Sequence, residues 1–284
     1  MSDEIIGLYR DYSLGKVTRR CFFDRLAVLA GGAAAAAALM PVLEGRQEYK
    51  PIVAPDDPAL ATEKIQYDGG DAKISAYLAR QKGGAKRPAV VVIHENRGLT
   101  PHIEDVARRL AKEGFLALAP DMLSPLGGTP SDGQQAAKMI GSLEGDKTVA
   151  RLAAAVKFLA SYKESTGNVG VTGFCWGGAM THRVMVSGAG AKAGVPYYGS
   201  VLPAPDVPKI SGPLLLHYAG NDARINAGVP DFEAALKANN KPYEIFTYEG
   251  AEHAFNNDSG PRYNKQAADL AWGRTIAFFR KYLK

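Results

Sequence analysis

The most informative part of the sequence is Gly173-Phe174-Cys175-Trp176-Gly177-Gly178. An apolar run predicted as a strand over 168–172 precedes it, and a helical pattern over 176–187 follows. A strand-to-helix turn with a glycine on each side is typical of a tight, strained elbow that presents a nucleophile. Here the presented residue is Cys175, close to a helix N-terminus whose dipole favours a thiolate. A G-x-C-x-G string alone is a weak signal, and the strand–turn–helix context gives it its weight.

From Thr62 onward, predicted strands alternate with predicted helices. Asp68-Gly69-Gly70-Asp71 predicts a hairpin turn, and the apolar run over 88–94 is typical of a strand that is buried on both faces. This order predicts an α/β protein with a mostly parallel central sheet and helices on both faces. The expected strands are 62–67, 73–80, 88–94, 115–119, 168–172, 193–198, 213–218 and 243–248, and the expected helices are 101–113, 131–142, 147–162, 176–187, 230–239 and 265–282.

Two more residues with catalytic potential follow later strands. Asp222 comes after the strand 213–218, and His253 comes after the strand 243–248. The order nucleophile, acid, base is the chain order of the α/β-hydrolase fold, which we therefore expect. His253 would take the proton of the Cys175 thiol, and Asp222 would orient the imidazole. An aspartate or histidine in a loop is usually a turn former or simply solvated, but three residues in this order at strand ends favour a site.

The N-terminal residues 1–43 differ from the rest of the chain. Thr18-Arg19-Arg20-Cys21-Phe22-Phe23 resembles a twin-arginine export motif, and the alanine- and glycine-rich stretch 26–43 follows it. Such a stretch is too weakly hydrophobic for a stable membrane span. Asp24, the long leading segment and the lack of a clean cleavage site argue against export. Two alternatives stay open: an export leader to the periplasm, which we prefer, or uncleaved helices of a cytoplasmic protein that dock on the domain or on a second copy.

The sequence predicts three regions. A proline-rich linker over 44–61 should separate the N-terminal extension 1–43 from the catalytic domain 62–284. The charged fraction of 22% and the net charge of +5 come from scattered residues, which excludes a nucleic-acid footprint. Cys175 is the only cysteine of the domain. His94-Glu95 lacks a third ligand for a zinc site, so we expect no metal and no cofactor.

The domain resembles the dienelactone hydrolase family from about Thr62 to Lys284, in a bacterial branch that carries a twin-arginine-like N-terminal extension. The matching motifs are His94-Glu95-Asn96-Arg97-Gly98, Ala119-Pro120-Asp121, Gly173-Phe174-Cys175-Trp176-Gly177-Gly178, Tyr197-Tyr198-Gly199, Gly220-Asn221-Asp222 and Gly250-Ala251-Glu252-His253-Ala254-Phe255. The resemblance implies hydrolysis of a small-molecule ester or lactone through an acyl-thioenzyme, as in a carboxymethylenebutenolidase.

The resemblance also implies roles for other residues. Glu95 would contact the resting thiol and move when substrate binds; the alternative is an ion pair with Arg97 or another cation. The backbone N–H groups of Trp176 and Asn96 would form the oxyanion hole. Relatives acting on dienelactone hold its carboxylate with arginines, one of them just after the catalytic histidine. This chain has Asn256-Asn257-Asp258 there, with Arg262 further along, so another ester or lactone is an equally good candidate.

Two other functions compete with hydrolysis. A redox-responsive protein would use Cys175 alone and would need neither Asp222 nor His253. A non-catalytic ligand-binding relative would be expected to lose one member of the triad, and all three are present. Turnover of short p-nitrophenyl esters separates these functions. The oligomeric state cannot be read from the sequence.

Overall fold

The computed structural model describes residues 2–13, 16–43 and 49–284. Its centre is an eight-stranded sheet with the order β1-β2-β4-β3-β5-β6-β7-β8. The strands are β1 (Leu60–Asp68), β2 (Lys73–Gln81), β3 (Arg87–Ile93), β4 (Leu116–Pro120), β5 (Ser165–Phe174), β6 (Ala193–Tyr197), β7 (Leu214–Ala219) and β8 (Tyr243–Tyr248). The β1–β2 hairpin joins the sheet antiparallel, and β4, β3, β5, β6, β7 and β8 run parallel. The expected mostly parallel sheet is confirmed.

Helices cover both faces of the sheet. They are α4 (Pro101–Lys112), α5 (Gly133–Gly141), α6 (Gly145–Ser161), α7 (Trp176–Met185), α8 (Ala223–Asn226), α9 (Val229–Ala238) and α10 (Lys265–Tyr282). Along β3, Val90 and Val92 pack into the core under α4 and α10, while Val91 and Ile93 pack into the opposite core, under α6, α7 and α9. Because successive side chains of a strand point to opposite faces, a strand with both faces buried needs the continuous apolar run that the sequence shows.

The N-terminal extension forms α1 (Asp3–Ser13), α2 (Arg19–Ala30) and α3 (Ala33–Leu43). Thr18 caps α2 by accepting a hydrogen bond from the N–H of Cys21, and Gly31 ends it in the left-handed conformation. The three helices share a small core built from Ile5, Tyr9, Tyr12, Phe22, Leu26, Ala36, Met40 and Leu43. Within the described residues, no single helix is long and apolar enough to cross a membrane. The pair α2 and α3 meets that test only when taken together, across a bend of 112°.

The segment between the extension and β1 is anchored to the domain where the structure describes it; the first part of the predicted linker, 44–48, lies outside the described residues. The buried carboxylate of Asp105 on α4 accepts hydrogen bonds from the backbone N–H groups of Ile52 and Val53 and from the Tyr49 hydroxyl. Arg108 donates to the carbonyl of Val53. The chain leading into β1 therefore follows α4 closely.

Candidate active site

The predicted site residues lie on neighbouring loops at one edge of the sheet. Cys175 follows β5, Glu95 follows β3, Asp222 follows β7 and His253 follows β8. Because these strands are parallel, their C-terminal ends lie along the same edge, and the loops that leave them converge there. Residues far apart in the sequence are brought together in this way.

Cys175 occupies a strained turn. Its backbone has φ 56° and ψ −113°, a conformation that is costly for a residue with a side chain. The turn is possible because glycines let the backbone segments approach closely. A Cβ at Gly177 would lie 2.4 Å from the carbonyl oxygens of Ile93 and His94, which is far inside van der Waals contact. The glycines of the motif are therefore required by close backbone contacts. The turn places Cys175 directly before the first residue of α7.

His253 and Asp222 form a close pair. The Nδ1 atom of His253 lies 2.5 Å from Oδ2 of Asp222, and the two side chains are 16% and 7% exposed. Burial would lower the pKa of His253, but hydrogen bonds to Asp222 and to the Cys175 side chain outweigh it and raise the pKa to about 9. Burial would raise the pKa of Asp222, but the hydrogen bond to His253 lowers it. The imidazole is thus bonded to a carboxylate, and its pKa also responds to the Cys175 side chain.

Tyr198 closes the other side of this group. Its ring centroid lies 5.0 Å from that of His253, and its own backbone has φ 37°. Burial, followed by the negative charges of Glu95 and Cys175, raises the pKa of its hydroxyl well above the usual value. Tyr198 is therefore a neutral hydrogen-bond donor beside the thiol. Tyr197, in contrast, is a core residue whose hydroxyl bonds to Thr275.

Glu95 is held by an amide and a phenol. Asn257 Nδ2 donates to Oε2 of Glu95 at 2.5 Å, and the Tyr198 hydroxyl donates to Oε1 at 3.4 Å. The orientation of the Asn257 amide is determined by Ser259, whose backbone N–H and hydroxyl both donate to its Oδ1. The NH₂ group must therefore face the carboxylate. Arg97, the cation that the sequence offered as an ion-pair partner, donates a hydrogen bond to the Tyr9 hydroxyl.

The two proposed oxyanion donors belong to the loops after the neighbouring strands β5 and β3. Trp176 is the first residue of α7, and Asn96 lies in the turn after Glu95. His94 supports both loops: its ring stacks on Trp176 at 5.3 Å, its Nε2 accepts a hydrogen bond from the N–H of Met122, and its Nδ1 donates to the carbonyl of Glu95. Burial lowers the pKa of His94, which keeps it neutral. The oxyanion hole itself stays a prediction.

The remaining histidines are buried structural residues. His102 pairs with Asp258, and His217 bonds to Tyr248 and Thr275. Burial lowers the pKa values of His182 and His217 to about 3, so both are neutral near pH 7. None of the three faces the Cys175 thiol through a described hydrogen bond.

The sequence did not indicate that Asn257, Ser259 and Tyr198 hold Glu95. Asn257 and Tyr198 are separated from Glu95 by 162 and 103 residues, so no local pattern relates them. Asn257 lies in the segment where dienelactone-binding relatives are expected to carry an arginine. The missing arginine is the feature of the sequence that distinguishes this segment from the same segment of those relatives.

Comparisons with known proteins agree with this architecture. The model of the family described as "Dienelactone hydrolase family" matches residues 74–283. A "Putative carboxymethylenebutenolidase" of Saccharolobus solfataricus is 33% identical over 264 residues, covering 78% of this chain and 99% of the relative. A protein of the same name from Escherichia coli K12 is 33% identical over 244 residues, covering 80% and 89%.

A solved structure gives the same result. The crystal structure of "Putative Dienelactone Hydrolase" from Klebsiella pneumoniae superposes with a TM-score of 0.73 at 29% identity, over 79% of this chain and all of the other. The family match spans almost the whole catalytic domain, and the fold of that domain is shared. The chain therefore belongs to the dienelactone hydrolase family and is a hydrolase.

Proposed function

We propose that this hydrolase cleaves a carboxylic ester or lactone, with Cys175 as nucleophile, His253 as base and Asp222 as the acid that orients the base. The observation that carries the proposal is the arrangement of His253, which lies 2.5 Å from the Asp222 carboxylate on the loop next to the Cys175 turn, with a pKa that both side chains raise. A nucleophile, a base within its reach and a carboxylate that orients the base are the parts that acyl transfer requires.

In the first half-reaction His253 takes the thiol proton and the Cys175 thiolate attacks the substrate carbonyl carbon. The carbonyl π bond becomes an oxyanion, which the N–H groups of Trp176 and Asn96 stabilise. Collapse of this intermediate breaks the bond between the carbonyl carbon and the leaving oxygen. His253 returns the proton to that oxygen, which leaves as an alcohol, or stays attached if the substrate is a lactone.

In the second half-reaction His253 activates water. The water oxygen attacks the thioester of Cys175, and His253 accepts its proton. Acylation has removed the negative charge from the sulfur, so one of the interactions that raises the pKa of His253 is gone and the imidazole is a neutral base. Expulsion of the thiolate, which recovers the proton from His253, releases the acid and restores the enzyme.

Glu95 would control the resting thiol. Its carboxylate lies in the same buried cluster as Tyr198, whose hydroxyl senses the charges of both Glu95 and Cys175. A negative charge close to the sulfur opposes formation of the thiolate. Substrate binding that moves Glu95 away from the sulfur would leave the thiol to His253.

The substrate class is a small ester or lactone. Relatives named carboxymethylenebutenolidase suggest a lactone, but the segment expected to supply an arginine for a dienelactone carboxylate is Asn256-Asn257-Asp258 here, and the Asn257 amide bonds to Glu95. We therefore assign no preference for dienelactone over other lactones and esters.

The test is turnover of p-nitrophenyl acetate and a panel of lactones by the wild-type enzyme and by Cys175→Ala. Iodoacetamide should label Cys175 and abolish activity, and the alanine variant should be inactive. Cys21→Ala is the matched control, because Cys21 lies in the N-terminal extension and should be dispensable. Full activity of Cys175→Ala would refute the proposal.

A further inference from the structure

Helix α1 of the N-terminal extension lies against both loops that carry the site. We propose that α1 is a fixed roof over the access to Cys175, and that its side chains Ile6 and Tyr9 limit the size of the ester or lactone that reaches the thiol. The proposal rests on the proposed function for what the thiol does, but its geometry is independent of turnover.

The first contact joins α1 to the loop after β3. The Tyr9 hydroxyl accepts a hydrogen bond from Nη2 of Arg97 at 2.6 Å. Arg97 follows Glu95 and Asn96 in the same turn, so this bond ties α1 to the loop that bears the carboxylate and one proposed oxyanion donor. Tyr9 is only 4% exposed, and a buried charge-assisted bond of this length is among the stronger contacts available to a phenol.

The second contact joins α1 to the loop after β8. Ile6 lines a cleft of about 150 Å³ whose other walls are Gly250, Glu252, Pro261, Arg262, Tyr263 and Asn264. Glu252 directly precedes His253. One wall of the cleft is therefore the residue next to the proposed base. One helix therefore joins the loop that carries Glu95 to the loop that carries His253.

The roof is held in place by the core of the extension. Tyr12 stacks on Phe22 with ring centroids 4.4 Å apart, and Tyr9 packs edge-on against Phe22 at 6.0 Å. Ile5 and Leu26 are buried in the same cluster. Since Tyr9 both packs into this core and bonds to Arg97, a bulky group cannot displace α1 without breaking these contacts.

Thiol access tests the proposal without any need for catalysis. Rates of alkylation of Cys175 are measured by peptide mass spectrometry with iodoacetamide, a small reagent, and with N-pyrenylmaleimide, a bulky one. The full-length variants are Ile6→Trp, which fills the cleft, Ile6→Ala, which widens it, and Tyr9→Phe, which keeps the ring but removes the hydroxyl that bonds to Arg97. Glu4→Trp is the matched control, because Glu4 is exposed and lies about 200° around the helix from Ile6.

We expect Ile6→Trp to slow the pyrenyl reagent about five-fold and iodoacetamide less than about two-fold, and Ile6→Ala and Tyr9→Phe to speed the pyrenyl reagent selectively. Glu4→Trp should match the wild type. The ratio of octanoate to acetate ester turnover should change in the same directions. The proposed role of α1 would be refuted if the ratio of the pyrenyl rate to the iodoacetamide rate were unchanged in the Ile6 and Tyr9 variants. It would also be refuted if Glu4→Trp changed that ratio in the same way. Activity retained by Cys175→Ala would overturn the proposed function and leave the alkylation result standing.

Discussion

Among the residues of the proposed site, His253 has neighbours that determine its protonation state. Asp222 holds one nitrogen of His253, and Cys175 lies against the imidazole as well. A carboxylate on one side and a developing thiolate on the other both favour the protonated imidazolium. Both neighbours therefore raise the pKa of His253, and loss of the charge on the sulfur by acylation would lower it again.

The charge state of His253 gives the first prediction. Its pKa, raised to about 9, lies above the ordinary value of about 6.5, so the stabilising effect of this group is complete below pH ~6.5 and is lost as the pH rises through about 9. Cys175→Ala removes one of the groups that raise the pKa of His253, so the titration of His253 should move to lower pH. NMR of the imidazole ring protons measures this titration. An identical midpoint in both proteins would show that the thiol does not act on the imidazole.

Glu95 gives the second prediction. Glu95→Gln keeps the shape of the side chain and removes its negative charge from the cluster around the thiol. The pH profile for iodoacetamide labelling of Cys175 should shift toward lower pH, and ester turnover should fall. Glu249→Gln, a substitution on the surface, should change neither. A well-folded Glu95→Gln protein with an unshifted labelling profile would remove Glu95 from the catalytic group and leave it a loop-fixing role.

The sequence predicts the parts of the site that depend on neighbouring residues and misses contacts between residues far apart in the chain. The elbow around Cys175 is local, so its glycines and its position between strand and helix can be read directly. Asp222 and His253 could be placed because each follows a strand of a parallel sheet. The Asn257–Glu95 hydrogen bond could not be predicted, since it depends on how two loops fold against each other and no periodic pattern encodes that contact.

At the scale of elements, the predicted strands and helices are present, and the differences lie at their ends. Helix α10 spans Lys265–Tyr282 as expected, because its apolar periodicity is long. Strand β5 begins at Ser165, earlier than expected, since Ser165-Thr166-Gly167 has no apolar alternation. The four-residue helix α8 was not predicted, because one turn is too short to show a period. Tertiary packing determines these ends.

The third prediction concerns α4. Asp105 is fully buried and accepts hydrogen bonds from Tyr49, Ile52, Val53, Arg108 and Arg109. Asp105→Ala leaves the buried Arg108 guanidinium without this carboxylate and releases the segment before β1, so we expect a loss of about 3 to 5 kcal/mol in the free energy of unfolding by urea titration. Asp146→Ala, which removes an exposed partner of Arg183, should cost less than about 1 kcal/mol. Similar losses in the two variants would contradict the anchoring role of Asp105.

At the scale of the whole molecule, the chain combines a family catalytic domain with a helical extension that touches its site. The sequence left an export leader and a docked helical unit open. Tyr9 bonds to the loop after β3 and Ile6 lines a cleft with the loop after β8, while both the export leader and the uncleaved docked unit stay predictions. Sequence patterns could identify the helices of the extension, but their contact surface depends on the folded domain.

Export gives the fourth prediction. Arg19 and Arg20 lie exposed at the start of α2, where a twin-arginine export receptor could bind them. In its native host the protein should fractionate outside the cytoplasm, and Arg19→Lys combined with Arg20→Lys should retain it inside. The roof over the site further requires that the exported, active protein keep α1, which intact-mass spectrometry measures. Wild-type protein found only in the cytoplasm would contradict the export prediction.

Turnover by the proposed mechanism acylates Cys175, and acid-quench mass spectrometry detects the acyl-enzyme. Enzyme mixed with excess p-nitrophenyl acetate and quenched in acid during the first turnovers should carry one acetyl group on the peptide that contains Cys175. The adduct should be absent from Cys175→Ala and should accumulate when Asp222→Asn slows deacylation. Steady turnover by the wild-type enzyme, with the acetyl group absent from Cys175 or present on another residue, would contradict the account.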